Sequence, residues 1–101
     1  MWRQGDVLIS AVESIPPLAT KRRDCILAQG ELTGHSHRID QPATAELLEH
    51  KGRLYLRVLA NEAKVVHQEH GPITLPKGSY AVWLQREYSP QSIHPIRPVK
   101  D

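Results

Sequence analysis

The chain has 101 residues, 40% hydrophobic and 24% charged, which fits one small globular domain and excludes wholesale disorder. Its longest uninterrupted apolar run, Tyr80 to Leu84, is five residues and far too short for a transmembrane helix. Thirteen basic against eleven acidic residues give a net charge of +2, which permits an anionic substrate but lacks the basic stripe of a duplex-DNA binder.

The first six residues, Met1 to Asp6, contain no apolar stretch, so no secretory signal is expected. Gly5 to Val12 reads as a first strand, stopped by Pro16-Pro17. Lys21-Arg22-Arg23 reads as a solvated turn, although such a run can also touch a nucleic-acid backbone. Asp24 to Ala28 forms a second strand. It carries the lone Cys25, a small buried residue that has no internal disulfide partner; a cytoplasmic location is the corresponding expectation. His35 to Ile39 is a third strand. Ala43 to Glu49 competes as a helix but is too short to be stable alone.

A hairpin is expected around Lys51-Gly52, with Ala45 to His50 leading in and Arg53 to Leu59 leading out. Leu54, Leu56 and Val58 alternate there with Tyr55 and Arg57, the period-two pattern of a strand with one buried face. Ala63 to Glu69 and Ile73 to Leu75 are shorter strands. Pro76-Lys77-Gly78 then turns the chain into a last strand, Ser79 to Tyr88, where Tyr80, Val82, Leu84, Arg86 and Tyr88 share a face. Ser89 to Asp101 holds three of the eight prolines and reads as an extended tail. The expected fold is therefore all-β, a small antiparallel barrel or sandwich over residues 1–88 with a Pro-rich C-terminal tail at 89–101.

Six histidines in so short a chain are an unusual number, and four of them fall in two clusters. Thr33-Gly34-His35-Ser36-His37-Arg38 places two imidazoles two residues apart, on one face of a strand. His67-Gln68-Glu69-His70-Gly71-Pro72 places His67 and Glu69 on one face by the same rule, with His70 at a bend. Such a set suits a divalent transition metal (Zn, Mn, Fe or Ni), with His35, His37, His67, Glu69 and His70 as the candidate ligands. It equally suits metal-free phosphodiester cleavage, in which one neutral imidazole acts as base and one imidazolium as acid. Arg38, Arg86 and Tyr88 are the candidates for holding the anion, because guanidinium pairs with phosphate through two parallel hydrogen bonds. His50 at the hairpin tip and His94 in the tail are not expected in a site, and Trp2 and Trp83 read as packing residues.

The segment Gly30-x4-His35-x-His37, with later histidines and Pro76-x-Gly78, resembles the two motifs of the small cupin barrels over roughly residues 30–82. The resemblance implies a metal held by His35 and His37. The spacing of the first motif is one residue short, its Glu has no counterpart, and the later histidines precede Pro-x-Gly instead of following it. The phrases Gly30-x3-Gly34-His35-x-His37-Arg38 and Gln85-Arg86-Glu87-Tyr88 are also similar to those of small bacterial proteins, a likeness that implies no activity.

Three readings follow. The first is a small phosphodiesterase- or ribonuclease-like hydrolase of a compact anionic or nucleotide substrate, with His35, His37, His67 and His70 as the catalytic set. The second is a cupin-like metalloprotein acting on a small organic molecule. The third is a non-catalytic β interaction domain. Exposed strand edges make a homodimer an expectation under each.

Overall fold

The computed structural model describes residues 1–30 and 34–85. The tail at 89–101, with His94, and the candidates Arg86 and Tyr88 lie outside the described residues. The fold is all-β. Its strands are β1 (Trp2–Gln4), β2 (Val7–Val12), β3 (Thr20–Lys21), β4 (Ile26–Gln29), β5 (Ser36–Ile39), β6 (Ala45–His50), β7 (Arg53–Val66) and β8 (Ile73–Leu84). All neighbours pair antiparallel in the order β1-β2-β8-β7-β5-β4, with β6 also pairing β7 and β3 pairing β6. The path ends at β1 and β4, so the sheet is open rather than a closed barrel.

Two long strands organise it. Arg53 to Leu59 and Ala63 to Glu69, expected as separate strands, are joined in one strand, β7, which ends at Val66 short of the expected Glu69 and is bent where its register with β8 shifts between Val58 and Glu62. Before the bend β7 pairs with β6, and after it with β5. The bulge is what lets one strand serve both ends of the sheet. Pro76-Lys77-Gly78 likewise does not turn the chain but runs through the middle of β8. Pro76 pairs opposite Glu62 at that same irregularity, where a missing N–H donor is tolerated, and Gly78 takes φ +154°, which suits a residue without Cβ.

The competing helix over Ala43 to Glu49 is absent: a short 3-10 turn at Pro42–Thr44 leads directly into β6. The first strand also differs. Gly5-Asp6 forms a two-residue turn between β1 and β2, with Gly5 at φ +62°, so the chain folds back before Val7. The hairpin at Lys51-Gly52 is present, both residues having positive φ.

Alternation places Val7, Ile9, Leu47, Leu56, Val58, Val65, Leu75, Tyr80 and Val82 on one buried face. Register aligns Ile9, Val82 and Leu54 across three strands, and Leu47, Leu56 and Tyr80 across another three. Trp2 packs edge-on against Tyr80 with ring centroids 5.5 Å apart, and Cys25 packs half-buried on the same core. The basic run at 21–23 starts at the end of β3 and continues into the bend that follows it. Lys21 pairs with Glu46 at 3.3 Å, and Arg22 bonds Asp24 at 2.9 Å and lies 3.4 Å from Glu49. No helix among the described residues is long and apolar enough to cross a membrane.

Candidate functional site

One end of the sheet is built differently from the rest. Three segments meet there: the β1–β2 turn, the start of β5, and the stretch 67–71 that follows β7. They bring His35, His37, His67 and His70 into one cluster, as the two sequence motifs predicted. Ring centroids are 4.2 Å apart for His37 and His67, 4.8 Å for His67 and His70, and 5.5 Å for His35 and His67. His37 and His70 lie 6.1 Å apart and nearly parallel.

The reason is local. β5 begins at Ser36, so His35 precedes the strand while His37 projects from its inner face, continuous with Ile39 and the core. The chain leaves β7 after Val66 and bends through His67 to His70, which folds both rings back over β5. Gln68 ties the bend down, because the Ser36 N–H donates to its Oε1 at 3.0 Å and extends the β5–β7 contact beyond the ladder.

Two carboxylates rim the cluster. Glu69 Oε2 is 3.7 Å from His35 Nδ1, and Asp6 Oδ1 is 3.8 Å from His37 Nε2. Glu69 and His35 were expected in the site. Asp6 was not, because it falls inside what reads as the first strand. The pair Gly5-Asp6 is itself a two-residue hairpin signal, and reading it so would have brought β1 and Asp6 to the histidines.

Gln4 was also missed. It is only 2% exposed, a buried amide beside the buried His37. Its Nε2 donates to the carbonyl oxygens of Val65 and Gly71, both at 2.9 Å, and its Oε1 lies 2.8 Å from His37 Nδ1. Gly5 explains how closely the turn approaches. A Cβ there would stand 2.8 Å from His70 Nε2 and 3.3 Å from His37 Cε1.

The electrostatics favour uncharged rings. Burial, reinforced by the neighbouring His67, lowers the pKa of His37 to about 4 despite the opposing pull of Asp6. His67 is lowered too, first by burial and then by His70 and His35. Its Nδ1 accepts the Glu69 backbone N–H at 3.0 Å, so the neutral ring carries its proton on Nε2. At neutral pH the centre of the cluster is therefore a pair of neutral imidazoles.

Arg38 is exposed on the outer face of β5 and lines a shallow pocket of about 220 Å³ with Ser36, Val66, His67 and Gln68. His50 is half-buried opposite Arg53 and takes no part in the cluster. As placed, no three His, Cys, Asp or Glu side chains among the described residues form a group that would hold a metal ion. No curated protein and no solved structure matches the chain. The sequence signature described as Domain of unknown function (DUF8820) spans residues 3–85, covering all four clustered histidines and their carboxylate rim, and the chain belongs to that family.

Proposed function

We propose that the chain is a small hydrolase of phosphodiester-type, compact anionic substrates, with the histidine cluster as its reaction centre and a divalent transition-metal ion as its cofactor. The observation that carries this is the cluster itself. Four imidazoles lie within 4.2–6.1 Å in successive ring-to-ring contacts, two of them are held neutral, and two carboxylates stand at the rim. Neutral imidazole is the ligating form. Two imidazoles sharing one tetrahedral ion at a metal–nitrogen distance of about 2 Å have ring centres roughly 5 Å apart, a separation that the ring-centre distances of the cluster bracket.

His37 and His70 would hold the ion together with His67 or His35, and Asp6 or Glu69 would supply a carboxylate. Binding at His67 Nδ1 would exchange the Glu69 N–H for the ion. The ion would contribute Lewis acidity toward a phosphoryl oxygen. Arg38, beside His67 in the shallow pocket, is placed to pair with the substrate's remaining charge.

A second reading rests on the proton positions. Neutral His37, 4.2 Å from His67 between ring centres, offers a lone pair as general base, and metal-free cleavage would require a neighbouring ring of the cluster in its protonated form as the acid. Cleavage of a labelled oligoribonucleotide and of a cyclic dinucleotide, with and without EDTA, separates the two. EDTA-sensitive cleavage that disappears in His37→Ala supports the metal-dependent hydrolase, and EDTA-resistant cleavage supports the paired imidazoles. No cleavage by the wild-type chain, with or without added Zn²⁺ or Mn²⁺, overturns the hydrolase and leaves the cupin-like or binding-domain reading.

A further inference from the structure

We infer that Gln4 is the positioning residue of the site: it locks His37 in the Nδ1–H tautomer, so that Nε2 is the atom presented to the cluster. The argument begins with the amide, whose orientation is forced. Nε2 of Gln4 lies 2.9 Å from two backbone carbonyl oxygens, those of Val65 and Gly71, and only an NH₂ group satisfies both. A flipped amide would set Oε1 against two acceptors in a buried place, where unpaired polar groups are costly. Oε1 is therefore the atom that meets His37, and an amide oxygen only accepts. The imidazole Nδ1 at 2.8 Å must donate.

One ring nitrogen is thus committed. In the neutral ring the other, Nε2, keeps its lone pair, and it is this nitrogen that faces Asp6. The lock is rigid because its anchors are backbone. Val65 lies in β7 and Gly71 in the turn after His70, so one side chain ties together the strand, the turn and the ring. The Gln4 side chain is held in turn by the β1–β2 hairpin, where Gln4 pairs with Val7. Metal-ligating histidines commonly have their second nitrogen committed in this way, to a partner that sets ring orientation and tautomer. The consequence for metal affinity rests on the reading of the site as a metal-dependent hydrolase; the tautomer does not.

The test is a long-range ¹H–¹⁵N correlation spectrum of the full chain, labelled at histidine and stripped of metal with chelator at neutral pH. His37 is expected to show a pyrrole-type Nδ1 and a pyridine-type Nε2. A pyridine-type Nδ1 in the wild-type protein overturns the inference without any variant. Gln4→Leu, which removes the acceptor, releases the ring into a mixture of tautomers and weakens Zn²⁺ binding roughly 10- to 100-fold. An unchanged His37 pattern in folded Gln4→Leu would also overturn the lock. A pattern as expected in a wild-type chain that cleaves nothing refutes the hydrolase and leaves the tautomer standing.

Discussion

The two ends of the sheet are stabilised by different physics. Around Leu47, Leu56 and Tyr80 the structure depends on apolar alternation, with neighbouring strands burying matched rows of aliphatic side chains. At the histidine end the rows give way to buried polar groups, and two glutamine side chains, Gln4 and Gln68, take over the role of the ladder. The first kind of contact is tolerant, since any side chain of similar volume maintains it. The second is specific, since each donor and acceptor has one matching partner. That contrast is what singles out the histidine end as the proposed site, because stability alone does not call for a buried imidazole hydrogen-bonded to a buried amide.

The contrast makes predictions of decreasing size. Leu56 is fully buried between β6 and β8, so Leu56→Ala should cost about 2–5 kcal/mol in denaturant unfolding and should lower activity only through loss of folded protein. His37→Ala should do the reverse, abolishing cleavage while the folded state persists.

Acid should weaken the histidine end selectively. The folded pKa of His37, about 4, lies below its ordinary value of 6.5, so the unfolded chain binds more protons between those two values. Stability of the metal-free protein should fall as pH drops from about 6.5 to about 4, and level off below it. The contribution of His37 amounts to about 3 kcal/mol, with His67 acting in the same direction. Urea midpoints across this range, compared between wild type and His37→Ala, isolate it: the variant should show the shallower fall.

Gly5→Ala probes the close approach of the turn. A side chain at φ +62° costs about 1 kcal/mol, and the added Cβ would also displace the His70 ring from the cluster. The expected result is a small loss in melting temperature with a much larger loss of Zn²⁺ binding. Removing the surface ion pair of Arg22 by Arg22→Ala should change stability by less than about 1 kcal/mol and leave cleavage intact.

The same contrast explains how much was legible in the sequence. Period-two alternation at Leu54, Leu56 and Val58 predicted the apolar part, and the paired His motifs predicted which rings would meet. Strand continuity was not legible at Pro76-Lys77-Gly78, because Pro and Gly punctuate a chain except where a bulge absorbs them. The break at Gly5-Asp6 was written in the residues but masked by the apolar run that follows, Val7-Leu8-Ile9. Gln4 left no local signal at all. Its role depends on Val65 and Gly71, more than sixty positions away in the chain.

The most direct test of the central claim is a calorimetric titration of Zn²⁺ into chelator-stripped wild-type chain, run beside His37→Ala. The account predicts one saturable equivalent in the wild type and its loss in the variant, with both proteins folded by circular dichroism. No binding in the wild type, or the same binding in both, would contradict it.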